Sequence, residues 1–153
     1  MIQHHLAQLN IARWKVLPDS PEAAGFVNNL DRINALAEDS PGFVWRLKDD
    51  DSNNAMAVAH PFGPDIIVNL SVWESTETLR DFVYRSGHRE ILARRREWFG
   101  NLKGPGMVLW WVPAGHRPDV FEAHDRLQAL RALGATAEAF TFAKPFGPPA
   151  VAA

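Results

Sequence analysis

The sequence predicts one α+β domain built on an antiparallel β-sheet, and three observations support this class. Several short segments alternate apolar and polar residues, which is typical of strands that bury one face. Other segments carry apolar residues at helical spacing, and proline or glycine turns separate the two kinds of segment. The length of 153 residues suits one core, and 46% hydrophobic with 22% charged residues is typical of a globular protein.

Composition excludes several classes of function. The chain has no cysteine, so disulfides, thiolate metal sites and cysteine nucleophiles are excluded. A formal net charge of -2 argues against general binding of nucleic acid, because neutralising phosphates needs a basic surface. The longest apolar run, residues 107–113, is too short to span a bilayer, and the first residues lack a signal-peptide pattern. We therefore expect a cytoplasmic protein that binds neither nucleic acid nor membranes.

The first strand is predicted over residues 5–14, where apolar and polar side chains alternate. The first helix is predicted to begin near Pro21, since proline is tolerated in a first helical turn. It ends at the Pro41-Gly42 turn. Its apolar stripe at helical spacing consists of Phe26, Leu30, Ile33 and Ala37.

Two further strands are predicted at residues 43–47 and 66–73, with a polar, proline-containing and glycine-containing segment between them. The strand at 66–73 is the clearest in the chain because its side chains divide between two faces. One face is aliphatic and consists of Ile66, Val68, Leu70 and Val72. The other face mixes apolar and polar groups and consists of Ile67, Asn69, Ser71 and Trp73.

A second helix is predicted from Thr76 until Gly87 interrupts it, and another helical stretch begins at His88. The next strand covers residues 107–112. It contains Trp110 and Trp111, which must point to opposite faces of the sheet because they are adjacent.

The last helix is predicted between Asp119 and Gly134. Asp119 and Glu122 have the spacing of a capping box, and a glycine is typical of the residue that follows a helix. A short last strand is expected at residues 138–143.

The predicted order is β-α-β-β-α-β with a helix and a strand appended, which is typical of a ferredoxin-like antiparallel sheet with helices on one face. The opposite face would then be uncovered in a chain that contains six tryptophans and nine phenylalanines. We therefore expect two copies to pair through that face into a dimeric α/β barrel, which makes a homodimer the predicted assembly. Residues 1–144 are expected to form this single domain, and residues 145–153 a flexible, proline-rich tail.

A family resemblance covers nearly the whole chain and is carried by the runs HLAQLNIARW, LDRINALAEDSPGFVWRL, IIVNLSVWES, HREILARRREWF, MVLWWVPAGHRPD and EAHDRLQALRALGATAEAFTF. They resemble domain-of-unknown-function family 3291. The resemblance implies a branch of the dimeric α/β barrel superfamily, which also contains antibiotic-biosynthesis monooxygenases and haem-degrading monooxygenases. It supports the fold but does not define a reaction, because one fold serves unrelated chemistry.

His88 is the first candidate catalytic residue, because it opens the stripe of a helix that is otherwise largely apolar. In haem-binding relatives the axial histidine lies on a helix after the third strand, and the resemblance places His88 similarly. His88 could act as a general acid or base, ligate haem iron, or be a structural histidine that bonds a backbone carbonyl. Arg95 follows in the same stripe and could bind a ligand carboxylate or pair with a neighbouring carboxylate.

A second group of candidates lies on the predicted strands. The resemblance implies that Asn10 occupies the position of an asparagine that haem-degrading relatives place over their ligand, which makes it a second catalytic candidate. Asn69, Ser71 and Trp73 share one strand face and would give a pocket hydrogen-bonding groups among aromatic walls. Trp110 and Trp111 are also expected to contact the ligand, with the dimer core as their alternative location. The other histidines lack the spacing of a metal site, so we expect none unless His88 binds haem.

Three functions are compatible with these residues. The first is a monooxygenase-like enzyme that acts on a hydrophobic small molecule, without a cofactor, since the sequence contains no cysteine and no nucleotide-binding motif. The second is a haem protein with His88 as its axial ligand. The third is a non-catalytic binding or dimerisation module. The sequence does not identify the substrate, and haem is the one cofactor that the family resemblance implies.

Overall fold

The structure is a computed structural model that describes residues 3–48, 55–56, 58–85, 97–102 and 104–149. A 3-10 turn at Pro21–Ala23 leads into the first α-helix. The helical stretch predicted from His88 onwards lies outside the described residues. The helices and strands are β1 (His4–Trp14), α1 (Ala24–Glu38), β2 (Phe43–Arg46), β3 (Ile66–Trp73), α2 (Thr76–Arg85), β4 (Phe99–Gly100), β5 (Met107–Pro113) and α3 (Val120–Leu133).

The strands form one antiparallel sheet in which β1 is central. On one side β1 pairs with β3, and β3 pairs with the edge strand β2. On its other side β1 pairs with β5 along its first half and with the two-residue β4 at its end. The order β2-β3-β1-β5 is that of a ferredoxin-like sheet. The predicted α+β, ferredoxin-like class is therefore confirmed, with β4 as an added strand that the sequence did not predict.

The two faces of the sheet are packed by different helices. We call the first the α1–α2 face; it includes Leu6, Trp73 and Leu109, which pack against residues of α1 and α2. We call the second the α3 face; it includes Leu9 and Val108, which pack in one core with residues of α3. The helical side chains in these two cores are Ile33, Ala37, Leu79 and Phe82 for the first, and Val120, Ala123, Leu127 and Leu130 for the second.

The position of α3 differs from the expectation that the helices share one face. α1 and α2 do lie on one face, whereas α3 covers the other, because its own buried apolar stripe matches the aliphatic side of β1, β3 and β5. The loop before β3 extends this cover, since the ring of Phe62 lies 5.2 Å from that of His124 in α3. Leu9 and Val108 are fully buried within one chain. The α3 face therefore does not by itself require a second copy.

Trp110 and Trp111 point to opposite faces, as their alternation predicts. Trp110 is fully buried on the α3 face, and its indole N–H donates to Glu122 Oε2 at 2.9 Å. Asp119 caps α3 by accepting from two backbone N–H groups, which confirms the predicted helix start. Glu122 instead directs its side chain to Trp110 and to His116 Nε2, 2.6 Å from Oε1. Glu122 thus ties the helix to the sheet.

The strand predicted at residues 138–143 is reduced to an isolated bridge. Phe140 exchanges two backbone hydrogen bonds of 2.8 Å with Leu109, but the chain turns between Thr136 and Ala139 and does not continue along β5. Farther on, the Trp111 indole N–H donates to the carbonyl of Phe146 at 2.9 Å. Phe146, within the segment expected as a tail, is thus packed against the α1–α2 core.

None of the helices in the described part of the chain is long and apolar enough to cross a membrane.

The different burial of the two tryptophans predicts different effects on stability. Trp110→Ala removes a fully buried indole and its bond to Glu122, so we expect the free energy of unfolding to fall by about 3 to 5 kcal/mol. Trp111 is half-buried, so Trp111→Ala is expected to lower the free energy of unfolding by less. Chemical denaturation followed by circular dichroism measures both. Equal losses would contradict the packing described for the two faces.

Candidate functional site

Polar side chains occupy the middle of the α1–α2 face. Gln8 of β1 pairs with Ser71 of β3, and in the next row on this face Asn10 pairs with Asn69. Gln8 and Ser71 are buried, whereas Asn10 and Asn69 are exposed. We call these four residues the amide site. It extends from the core of the domain to its surface.

Hydrogen bonds connect the buried part of the amide site to Asn69. Gln8 Nε2 donates to Asn69 Oδ1 at 2.6 Å and to Ser71 Oγ at 2.7 Å. Ser71 Oγ also accepts from the indole N–H of Trp73 at 2.9 Å. A primary amide nitrogen has two N–H groups, so both donors of Gln8 are used. The amide oxygen of Asn69 is directed at Gln8, and its amino group points the other way.

Trp73 is held in place by two aromatic rings. Its ring lies edge-on to Phe43, with centroids 5.5 Å apart, and stacks on Phe82 at 5.2 Å. The side chain is 1% exposed. These contacts fix the direction of the indole N–H and therefore the position at which Ser71 accepts it.

A second aromatic cluster lies at the other end of the same face. Trp14 follows Asn10 by four residues on β1, about 13 Å along the strand, and projects to the same side. Its ring lies 4.8 Å from Phe99 and 5.5 Å from Phe26, and Phe26 also contacts Trp98 at 5.5 Å. The exposed amides therefore lie between two groups of aromatic side chains.

The immediate neighbours of the exposed amides are apolar. Met107 of β5 lies opposite Asn10, and the next row on this face is the pair Ala12 and Ile67. All three are half-buried. Few polar groups at fixed positions on an otherwise apolar surface are typical of sites that bind small organic molecules.

Arg46 extends the polar row to the edge of the sheet. It lies opposite Ser71 and its side chain is 8% exposed. The guanidinium contacts Glu38 Oε1 through Nε at 2.9 Å and through Nη2 at 2.8 Å. Its charge is thus balanced by a carboxylate at the end of α1, which makes a structural role for Arg46 the simpler interpretation.

The structure brings together four of the residues that the sequence singled out: Asn10, Asn69, Ser71 and Trp73. Trp111 projects to the same face, opposite Leu6. Trp110 lies on the α3 face and is not brought to the amide site. His88 and Arg95 lie outside the described residues, so their roles stay predictions.

Sequence reasoning missed Gln8, which is central to the hydrogen-bond network. The signal in the sequence was its spacing: Gln8 lies two residues from both Leu6 and Asn10, so it shares their strand face. A polar residue is thereby placed on a core-facing side of a central strand. Metal binding has no support in the described ranges, where no three histidine or acidic side chains are grouped so as to hold an ion.

Comparison with known proteins gives a family and a few structures of related shape. No curated protein matches the chain. A protein of unknown function from Nitrosomonas europaea, NE2512, is 13% identical with a TM-score of 0.48, over 77% of this chain and 96% of that one. SnoaB, a cofactor-independent oxygenase from Streptomyces nogalater, is 18% identical with a TM-score of 0.41, over 76% of this chain and 96% of that one.

A mutant of SnoaB is 16% identical with a TM-score of 0.45, over 74% of this chain and 95% of that one. Likenesses this distant do not assign a reaction. The match to a family model, in contrast, covers nearly the whole chain, residues 5–153. The chain belongs to the family DUF3291, a domain of unknown function.

Proposed function

We propose that the chain binds a hydrophobic small molecule on the α1–α2 face and acts on it as a monooxygenase-like enzyme. The observation that carries this proposal is the pair of exposed amides, Asn10 and Asn69, within a half-buried apolar surface. Side chains directly opposite each other in an antiparallel pair have Cβ atoms about 4.5–5.5 Å apart. Two amides at this spacing can bind one polar group of a ligand together.

The surroundings of the two amides favour a flat, aromatic ligand. Met107, Ala12 and Ile67 supply apolar contacts close to the amides. The aromatic cluster that contains Trp14, Phe26 and Phe99 lies beyond them on the same face. Aromatic rings pack favourably against aromatic and thioether side chains. The ligand class supported best is therefore an aromatic molecule that carries one or more oxygen atoms.

The proposed oxidation draws its electrons from the substrate, in keeping with a sequence that lacks a nucleotide-binding motif and cysteine. A test reaction of this kind is 1,5-dihydroxynaphthalene with O2, which gives 5-hydroxy-1,4-naphthoquinone and water. One oxygen atom enters the ring, and the other leaves as water with the two hydrogens removed. The N–H donors of Asn10 and Asn69 would stabilise negative charge on the phenolate oxygen. His88 is proposed as the general acid or base.

Haem binding with His88 as axial ligand is the alternative that the family resemblance suggests. The described part of the site offers amides, a hydroxyl and an indole, and none of these is a usual ligand of haem iron. Haem would therefore depend on His88, and the observations on the described residues favour the organic ligand.

The two exposed amides predict how affinity changes on substitution. Asn10→Ala and Asn69→Ala should each remove a hydrogen bond of about 0.5 to 1.5 kcal/mol, which weakens affinity about 2- to 12-fold. Calorimetric titration with 1,5-dihydroxynaphthalene measures the change. Asn28→Ala, at an exposed position of α1, is the matched control and should bind like the wild type. Unchanged affinity in both site variants would place the ligand elsewhere.

Oxygen uptake separates an enzyme from a binding module. The purified wild type without additives should consume O2 with 1,5-dihydroxynaphthalene and form the quinone, which absorbs visible light. His88→Ala should bind the substrate but turn it over more slowly. Binding without oxygen uptake would support the non-catalytic module. A Soret band that appears on haem titration of the wild type and is lost in His88→Ala would support the haem protein.

The homodimer also stays a proposal, and the position of α3 changes where the second copy is expected. Since α3 covers the face expected to form the barrel interior, a partner would meet α3, where Phe121 is 63% and Leu133 is 73% exposed. Sedimentation velocity at micromolar concentration should show a dimer, and Phe121→Glu should shift it to monomer. Leu17→Glu, at a residue 71% exposed after β1, is the control. Sedimentation of the wild type as a monomer at this concentration would contradict the proposed homodimer.

A further inference from the structure

We infer that Gln8 is a positioning residue: it orients the Asn69 amide so that the site selects ligands with a hydrogen-bond-accepting oxygen, such as a ketone or a phenolate. This inference rests on the proposed small-molecule site and specifies the chemistry of its ligand. It concerns a residue that does not itself face the exposed surface, since Gln8 is 4% exposed.

The first step is the orientation of Gln8. A primary amide has a donor end and an acceptor end, and rotation by half a turn exchanges them. Here the donor end faces both Asn69 Oδ1 and Ser71 Oγ, at 2.6 and 2.7 Å. Gln8 is buried beside Leu6 and bonded on both N–H groups, so it is the fixed member of the pair.

The second step is the effect on Asn69. Rotating its amide would bring Nδ2 against Gln8 Nε2, two donors with no acceptor between them, which is unfavourable in a partly buried site. Asn69 therefore keeps Oδ1 inward, and its two N–H groups point away from Gln8. Within the described ranges these N–H groups have no protein acceptor, and Asn69 is exposed.

The third step is selectivity. An outward N–H of Asn69 can donate to a carbonyl or phenolate oxygen, whereas a ligand that presents a donor or only carbon there leaves this N–H unpaired. Asn10, the direct neighbour of Asn69, can adapt its own amide because no hydrogen bond to a described residue fixes it. Preference for an acceptor is thus set by Asn69, and through it by Gln8.

The test uses two ligands that differ in one oxygen atom, 2-acetylnaphthalene and 2-ethylnaphthalene, in calorimetric titrations. We expect the wild type to bind the ketone about 10-fold more tightly, as one hydrogen bond from Asn69 and one from Asn10 would give. Gln8→Met, of similar length but unable to orient Asn69, should reduce this preference to about 3-fold, which is the contribution of the remaining Asn10 bond on the same scale. Gln128→Met, the same substitution at an exposed position of α3, should keep the wild-type preference.

A second measurement does not depend on the variant folding well. In proton–nitrogen spectra of the wild type, the ketone should shift the side-chain NH2 signals of Asn69, and the hydrocarbon should leave them nearly unchanged. Unshifted Asn69 NH2 signals at saturating ketone would overturn the inference, because Asn69 would then not donate to the ligand.

The outcomes separate this inference from the proposed function. Binding of neither compound overturns the proposed small-molecule site and this inference with it. Equal affinity of the wild type for both compounds overturns only the inference, because the site then exists without a preference for an acceptor. An unchanged preference in folded Gln8→Met also overturns it, because Asn69 would then be oriented by something else.

Discussion

The arrangement of the whole domain depends on the pairing of β1 along both of its edges. β3 lies on one side of β1, and β5 with β4 on the other, so every β1 side chain must enter one of two layers. Ala7, Leu9 and Ile11 belong to the core that α3 covers. Leu6, Gln8 and Asn10 project to the opposite face, on the side of α1 and α2. A shift of β1 by one residue in this pairing would turn the side chains of Gln8 and Asn10 to the face that α3 covers.

Gln8 is compatible with a stable core because its two N–H groups are hydrogen-bonded inside the protein. Its side chain is buried, and its acceptors are Asn69 Oδ1 and Ser71 Oγ. Trp73 serves two purposes, since its ring stacks on Phe82 and its N–H bonds Ser71. Packing and hydrogen bonding therefore specify one arrangement together, and the exposed amides are supported by the core beneath them.

Much of the fold could be predicted from the sequence, because strand alternation and helix caps are local signals. Residues 66–73 were predicted with the bounds of β3, and Asp119 marked the start of α3. The face that α3 covers could not be predicted, since an apolar stripe fits either side of a sheet. Gln8 was missed for a related reason: its neighbours Asn69 and Ser71 lie about sixty positions away, and only strand register brings them together.

Because α3 covers one face of the sheet, the odd-numbered and even-numbered residues of β1 have different roles. Odd positions such as Ala7 and Leu9 are sealed beneath α3, where changes in volume affect folding. From Asn10 onwards, even positions face the proposed ligand surface, where exchange of one amide for another leaves the sealed core intact. Members of the family could thus diversify their ligands by varying alternate residues of a single strand. Directed evolution of this domain can use the same division, by randomising Asn10 and Ala12 while keeping Leu9 and Ile11 constant.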